Sequence, residues 1–285
     1  MSQITANSGF EKYALSNSGM DGGNLDAPLY ICGIEFGGSF TTTTAFSPEP
    51  NVPCWSKEMR LKTLEKATAT GDRKNRFTMW PYCRMASKLT VSVLFDCIHD
   101  EKDLEREWRH HYCTDPELKG YCGRSGGNFS LNLYPIPFRR ISDAKWHSSL
   151  TNTTGLQSRQ QYRDWCERYR FPILRDLVRT HKPAAIICTS AIETRKDFAS
   201  AFCDDRKIDW EAPFNTLPQR KTALPIFRLP SVSSETTLWI VPFLGQGGIL
   251  SNENVLKLGR WIRADILARS PERLNGYWPP LCASL

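Results

Sequence analysis

Three segments of the chain join chemically capable side chains to backbone that can approach a ligand closely. The first is Gly33-Ile-Glu-Phe-Gly-Gly38, at the end of the apolar run Pro28–Ile34. Its glycines permit close contact, and Glu35 stands at the strand end, where a carboxylate can polarise water or stabilise a developing cation. The same carboxylate would also suit a surface residue that caps the next turn. The second is Asn132, set between Leu131 and Leu133. A buried amide must find hydrogen-bond partners, and its paired donor and acceptor fit a pyrimidine edge as well as a neighbouring loop backbone. The third is Pro242–Ser251, in which Gly245, Gly247 and Gly248 are interleaved with Phe243, Leu244 and Ile249. Such a loop can enter a DNA groove and part the bases, or be an ordinary strand-to-helix turn. No Gly-Lys-Ser/Thr follows a glycine run, so triphosphate binding through a P-loop is excluded.

These segments sit where strands should end. Four apolar runs read as strands: Pro28–Ile34, Asn128–Tyr134, Ala184–Thr189 and Thr237–Val241. Helical stretches separate them, at Ser56–Ala69, at Pro81–Phe95 and at Ser158–Thr180. The last has Tyr162, Trp165, Tyr169, Leu174 and Leu177 at near-helical spacing, and Pro172 should kink or split it. Ser190-Ala-Ile-Glu193 has the form of a capping box, and Ser251 or Asn252 should cap a final helix with Val255, Leu258, Ile262 and Ile266 on one face. Strands alternating with helices predict a parallel α/β sheet whose ligands bind at the carboxyl ends of the strands. The loops that begin at Glu35, Pro135, Ser190 and Pro242 are therefore the ones to inspect.

Composition narrows the class further. The chain has 285 residues, with 37 Lys+Arg against 30 Asp+Glu for a net +7, 40% apolar and 24% charged residues. That excludes a disordered or fibrous chain and permits a polyanionic partner. No basic n-region precedes an apolar stretch at the N-terminus, so no signal peptide is expected. Thr236–Asn252 is uncharged but too short and too broken by Pro and Gly to span a bilayer. Ten scattered cysteines without a C-x-x-C predict reduced thiols in a cytoplasmic protein. His110, His111, Cys113 and Cys122 have zinc-ligating chemistry but lack paired spacing across a loop, so no metal is assigned. Positive charge gathers in Lys57–Lys88, with nine basic residues against three acidic, and in Arg159–Lys182, with seven against three. Both stretches, and Arg139-Arg140 after the Asn132 strand, are candidates for phosphate contact, although much of this charge also suits solvated helix faces.

Taken in order, strand–GIEFGG, strand–NFSLNLYP, strand–CTS and strand–PFLGQGG-x-LSN resemble the uracil-DNA glycosylase superfamily, over roughly Leu29–Ile266. The resemblance implies a three-layer α/β sandwich with a central four-stranded parallel sheet flanked by helices. It implies one domain over residues 1–285, with helical insertions at about 50–125. Glu35 matches the residue that positions the attacking water, with Phe36 where proline is usual, and Asn132 matches the residue that reads the extruded base. Gly33, Ile34, Phe36, Gly37 and Gly38 would line the base pocket. Phe40 or Phe46 would stack on the base, unless they fill the core. Ser190, Leu244, Gly245, Gln246, Gly247, Gly248 and Ser251 would meet DNA, together with Arg139 and Arg140. The family's last loop usually carries a His, but the five histidines here are residues 99, 110, 111, 147 and 181. Backbone amides, Gln246 or another group must then stabilise the departing base anion.

The first motif also bears on the substrate. Family members restricted to uracil have Tyr where Gly37 stands, which crowds the pyrimidine 5-position. The resemblance therefore implies a 5-substituted pyrimidine. It is to the antiphage branch that removes glucosylated hydroxymethylcytosine from phage DNA, leaving abasic sites. No strand-end Lys suggests lyase chemistry, and no iron–sulfur cysteine spacing is present. The expectation is thus a monomeric, cytoplasmic, cofactor-free DNA glycosylase with no membrane association. The alternatives are a repair enzyme for uracil or damaged pyrimidines, a noncatalytic DNA-binding protein on the same fold, and a nucleoside hydrolase.

Overall fold

The computed structural model describes residues 4–16, 22–34, 81–114, 127–136, 146–190, 192–204, 208–218, 223–245, 248–249 and 251–275. The helix expected at Ser56–Ala69 lies outside them. Helix α1 (Ser8–Leu15) precedes a two-residue strand β1 (Gly22–Gly23) and strand β2 (Leu29–Gly33). Helices α2 (Pro81–Leu94) and α3 (Glu101–Trp108) come before β3 (Asn128–Asn132). Helices α4 (Ser148–Thr154), α5 (Arg159–Trp165) and α6 (Phe171–His181) lead to β4 (Ala185–Ser190). Helix α7 (Arg195–Phe202), strands β5 (Asn215–Leu217), β6 (Leu224–Pro230) and β7 (Thr237–Pro242), and the long α8 (Asn252–Arg269) follow.

Among the described residues the strands form one mixed sheet of seven, ordered β1-β3-β2-β4-β7-β6-β5. The expected sheet of four strands is therefore too narrow. Neighbours β3, β2, β4 and β7 run parallel, whereas β1 at one side and β6 and β5 at the other run antiparallel. Strand β6 escaped notice in the sequence because Pro225 and Pro230 argue against a strand. Those prolines fall near its two ends, and Phe227 and Leu229 still pair with Ile240 and Leu238 of β7.

Side-chain alternation on the parallel strands builds a core on each face. Leu29, Ile31, Ile187, Trp239 and Val241 are buried on one face with residues of α2, α3 and α8. Tyr30, Cys32, Ile186, Cys188, Leu238 and Ile240 are buried on the other with residues of α1, α5, α6 and α7. The result is a mixed α/β architecture with helices on both faces of the sheet. Helices α2 and α8 approach so closely that a Cβ on Gly259 would lie 2.0 Å from Ser92 Oγ.

The stretch that carries Pro172 is interrupted as expected: the chain widens into a π-turn over Cys166–Arg170, which divides α5 from α6, and Pro172 falls in the first turn of α6. One local expectation is corrected. Ser190 opens no helix. It ends β4, and a 3-10 turn over Ile192–Thr194 comes before α7, whose N-cap Thr194 makes no side-chain capping bond. At the last helix the expected cap is present, since Ser251 accepts from the Asn254 amide at 3.2 Å.

Cysteines 32, 83, 166, 188 and 203 are buried free thiols, behaving as small apolar residues. Cys97 is disulfide-bonded, which departs from the expectation of thiols throughout. Among the described residues no helix is long and apolar enough to cross a membrane.

Candidate functional site

The sheet order places a topological switch at the carboxyl ends of β2 and β4. From β2 the chain crosses to β3 on one side, then returns to β4 on the other side and continues to β7. The connections thus diverge at a crevice above Gly33 and Ser190, the place where open α/β sheets bind ligands. Gly33 is in register with Asn132 on one side and Thr189 on the other, and Ser190 is in register with Pro242. Three of the segments singled out in the sequence therefore converge: the exit of β2, the Asn132 strand and the start of the glycine loop. Beyond β3 the pairing continues, with the Leu133 amide donating to the Gly33 carbonyl and the Tyr134 amide to the Ile34 carbonyl, each at 2.9 Å.

Asn132 is 4% exposed. With Asn128 and Ser130 it forms a polar stripe along one face of β3, while Phe129 and Leu131 pack into the opposite core. The exit of this strand is held by Arg170, a fully buried guanidinium. It donates to the backbone carbonyls of Leu133 at 3.0 Å and Asn132 at 3.1 Å, and also to that of Ala14. Burial pushes the Arg170 guanidinium below its ordinary value, but arginine remains charged at any working pH. Around the same turn the Tyr13 hydroxyl donates to the Pro135 carbonyl at 3.2 Å, and the Ile136 amide donates to the Tyr162 hydroxyl at 3.0 Å. Tyr134 is linked through Arg163 to Asp197. Burial, reinforced by Asp197, raises the Tyr134 phenol far above its usual range, so it stays neutral.

On the other side of the crevice stands an aromatic rim that the sequence did not reveal. The Thr189 hydroxyl donates to the Tyr82 hydroxyl at 3.3 Å, and the Tyr82 ring stacks on Phe243 with centroids 5.5 Å apart and planes 21° apart. Phe243 is 41% exposed, yet its backbone is fixed, because its carbonyl accepts from the Ile249 amide at 2.7 Å. Glycine is required to close the turn this tightly: a Cβ on Gly248 would lie 1.9 Å from the Phe243 carbonyl oxygen. Below the turn, buried Lys88 donates to Glu105 and, at 3.0 Å, to Asn252 at the start of α8.

The placement of the expected residues is uneven. Gly33, Ile34, Asn132 and Ser190 gather at the strand ends. Leu244 and Ile249 are fully buried in the core, whereas Phe243 faces outward. Gly245 is buried as well, Gly248 is partly exposed, and the Ser251 side chain is engaged as a helix cap. Glu35, Phe36, Gly37, Gly38, Phe40, Phe46, Arg139, Arg140, Gln246 and Gly247 lie outside the described residues. Charge expected to face phosphate is in several places held within the protein. Lys88 pairs with Glu105, Arg163 with Asp197, Arg179 with Asp176 and Asp204, and Lys182 with Glu235. His110 and His111 lie in a π-turn over Arg109–Thr114, and Glu107 Oε2 is 3.7 Å from His111 Nε2. Among the described residues no group of three or more His, Cys, Asp or Glu side chains is arranged to hold a metal.

Tyr82, Thr189 and Arg170 are the residues that sequence reasoning missed. Thr189 carried a signal, as a polar residue closing the apolar run Ala184–Cys188. Tyr82 and Arg170 carried none, because both act across long stretches of chain. No protein-family model, curated protein or solved structure matches this chain.

Proposed function

We propose that this protein is a monofunctional DNA glycosylase of the uracil-DNA glycosylase kind, acting on a 5-substituted pyrimidine such as glucosylated hydroxymethylcytosine in phage DNA. The observation that carries the reading is the register of Gly33 with Asn132 and Thr189 at the switch point. It brings the strand that leads into Glu35 beside the buried amide suited to a pyrimidine edge. A base inside duplex DNA is out of reach, so the nucleotide is extruded and the unstacking cost of a few kcal/mol is offset by contacts in the pocket. Breaking the N-glycosidic bond builds positive charge on the sugar and negative charge on the base. Glu35 holds the water and stabilises the sugar cation, while the Asn132 amide, held through its strand by Arg170, donates to the departing base.

The test is incubation with DNA bearing uracil, hydroxymethylcytosine or its glucosylated form, followed by alkali. Strand breaks that appear only after alkali, and chiefly with the glucosylated base, are the expected outcome. Retained DNA binding without abasic sites would favour the noncatalytic reading, which the lack of a His in Pro242–Ser251 keeps open. Abasic sites formed chiefly at uracil would favour the repair alternative.

A further inference from the structure

We infer that Tyr82 and Phe243 form a two-ring stacking platform for a nucleobase out of its stack, an inference that rests on the DNA-directed reading above. Three observations lead to it. The rings lie nearly parallel, 5.5 Å apart at their centroids, so Tyr82 covers part of Phe243 while 41% of that residue remains open. The pair is anchored beside the switch point, because Tyr82 accepts from Thr189 and Thr189 is in register with Gly33. Phe243 is also rigidly presented. Its carbonyl is bound by the Ile249 amide, and a Cβ at Gly245 would lie 2.6 Å from its ring. An exposed aromatic held in this way has little conformational entropy left to lose when a ligand binds, which is what preorganisation requires.

The occupant follows from the chemistry. Each base has a π-face, and a base stacked on an aromatic side chain gains affinity with little regard to sequence. Among the described residues at the start of α8, Ser251 and Glu253 are exposed and polar, a setting that suits a nucleotide better than a lipid surface. The net charge of +7 suits a polyanionic strand. The buried Thr189 hydroxyl fixes the Tyr82 hydroxyl behind the platform. Phe243, backed by Tyr82, thus orients a base by its face, while Asn132 on the far side of Gly33 is suited to read an edge.

The experiment uses the full chain and two fluorescein-labelled single-stranded oligonucleotides. One carries a central pyrrolocytosine and the other an abasic residue in its place. Wild type should bind the base-bearing strand more tightly and quench the pyrrolocytosine. Phe243→Leu keeps an apolar side chain of similar reach but removes the π-face. It should weaken binding of that strand about tenfold and abolish the quenching, with abasic-strand binding unchanged. Tyr82→Leu should do the same, whereas Tyr82→Phe should retain both signals. Thermal melting of each variant establishes that it is folded, and exposed Phe243 provides the variant least able to disturb the core. A folded Phe243→Leu protein with wild-type preference and quenching would overturn the platform while leaving the glycosylase reading intact. Failure of wild type to bind either strand would also overturn the platform, while the alkali test on modified duplex DNA decides the glycosylase reading separately.

Discussion

Arg170 donates a 3.1 Å hydrogen bond to the backbone carbonyl of Asn132 from the fully buried side of the strand. Among the described residues no carboxylate pairs with it, and such a cation is an expensive way to hold a loop, since burial disfavours its charge. What offsets that cost is a set of three charge-assisted bonds to carbonyls that would otherwise lose their donors: Asn132, Leu133 and Ala14. The arrangement fixes where β3 ends and so where the Asn132 amide is presented.

Arg170→Met should therefore destabilise the fold by about 3 kcal/mol or more, because it strands three buried carbonyls at roughly 1–3 kcal/mol each. Arg170→Lys should recover only part of that loss, since an ammonium lacks the planar fork. Urea denaturation of the two variants checks the order. Equal stability of Arg170→Met and wild type would show that the carbonyls find other donors.

The contact between α2 and α8 yields a paired test on glycine. A methyl at Gly259 meets Ser92 Oγ at 2.0 Å and Ser92 Cβ at 2.6 Å, whereas nothing lies within 4 Å of one at Gly9 in α1. Gly259→Ala should cost about 1–3 kcal/mol through overpacking. Gly9→Ala should be neutral or should stabilise by up to about 1 kcal/mol, as the better helix former. Thermal melts that gave the two variants the same sign would contradict this helix spacing.

Stability should also depend on acid in a defined direction. Burial would raise the Glu105 carboxyl, but Lys88 and Arg109 outweigh it and hold the group below its ordinary value. Asp265 is likewise lowered against burial, by Arg269 and Arg228. With folded values below unfolded ones, the unfolded chain takes up protons first as the pH falls. The stability these groups contribute is thus complete above about pH 5 and is lost as the pH drops through about 4 and below. Glu105→Gln should lower Tm by about 3 °C at pH 7 and by less at pH 3. A difference from wild type that stayed constant across that range would remove Glu105 from the effect.

Much of this organisation was legible in the chain because it is local. The four parallel strands are compact apolar runs, and the Ser251 cap is a short-range signal realised in a hydrogen bond to Asn254. The convergence of Gly33 and Asn132 was anticipated only in outline, through the rule that ligands sit at strand ends. What was not legible depends on partners far apart in the chain. Tyr82 meets Thr189 across 107 residues, and Arg170 reaches Asn132 across 38. Leu244 misled for a related reason: its place beside exposed Phe243 does not disclose that the turn points it inward. Strand β6 was hidden by its own prolines, which an edge-side antiparallel strand tolerates.

The substrate expectation rests on the absence of a side chain at Gly37, and it can be tested by adding one. If open space at the pyrimidine 5-position admits hydroxymethyl or glucosyl groups, then Gly37→Tyr should fill that space with a phenol ring. Steric exclusion acts on the bulky substrate alone. The value of kcat/KM for glucosylated hydroxymethylcytosine should therefore fall by about 100-fold or more, while uracil excision changes by less than about threefold. Glu35→Gln makes the contrasting comparison, because it removes the carboxylate proposed to activate water and adds no bulk. It should depress turnover on every base by about 100-fold or more, with little effect on DNA affinity. Side-by-side single-turnover rates on the two bases separate the effects. A Gly37→Tyr protein with an unchanged substrate range would end the pocket argument, and near-wild-type turnover by Glu35→Gln would move activation of the water to another residue.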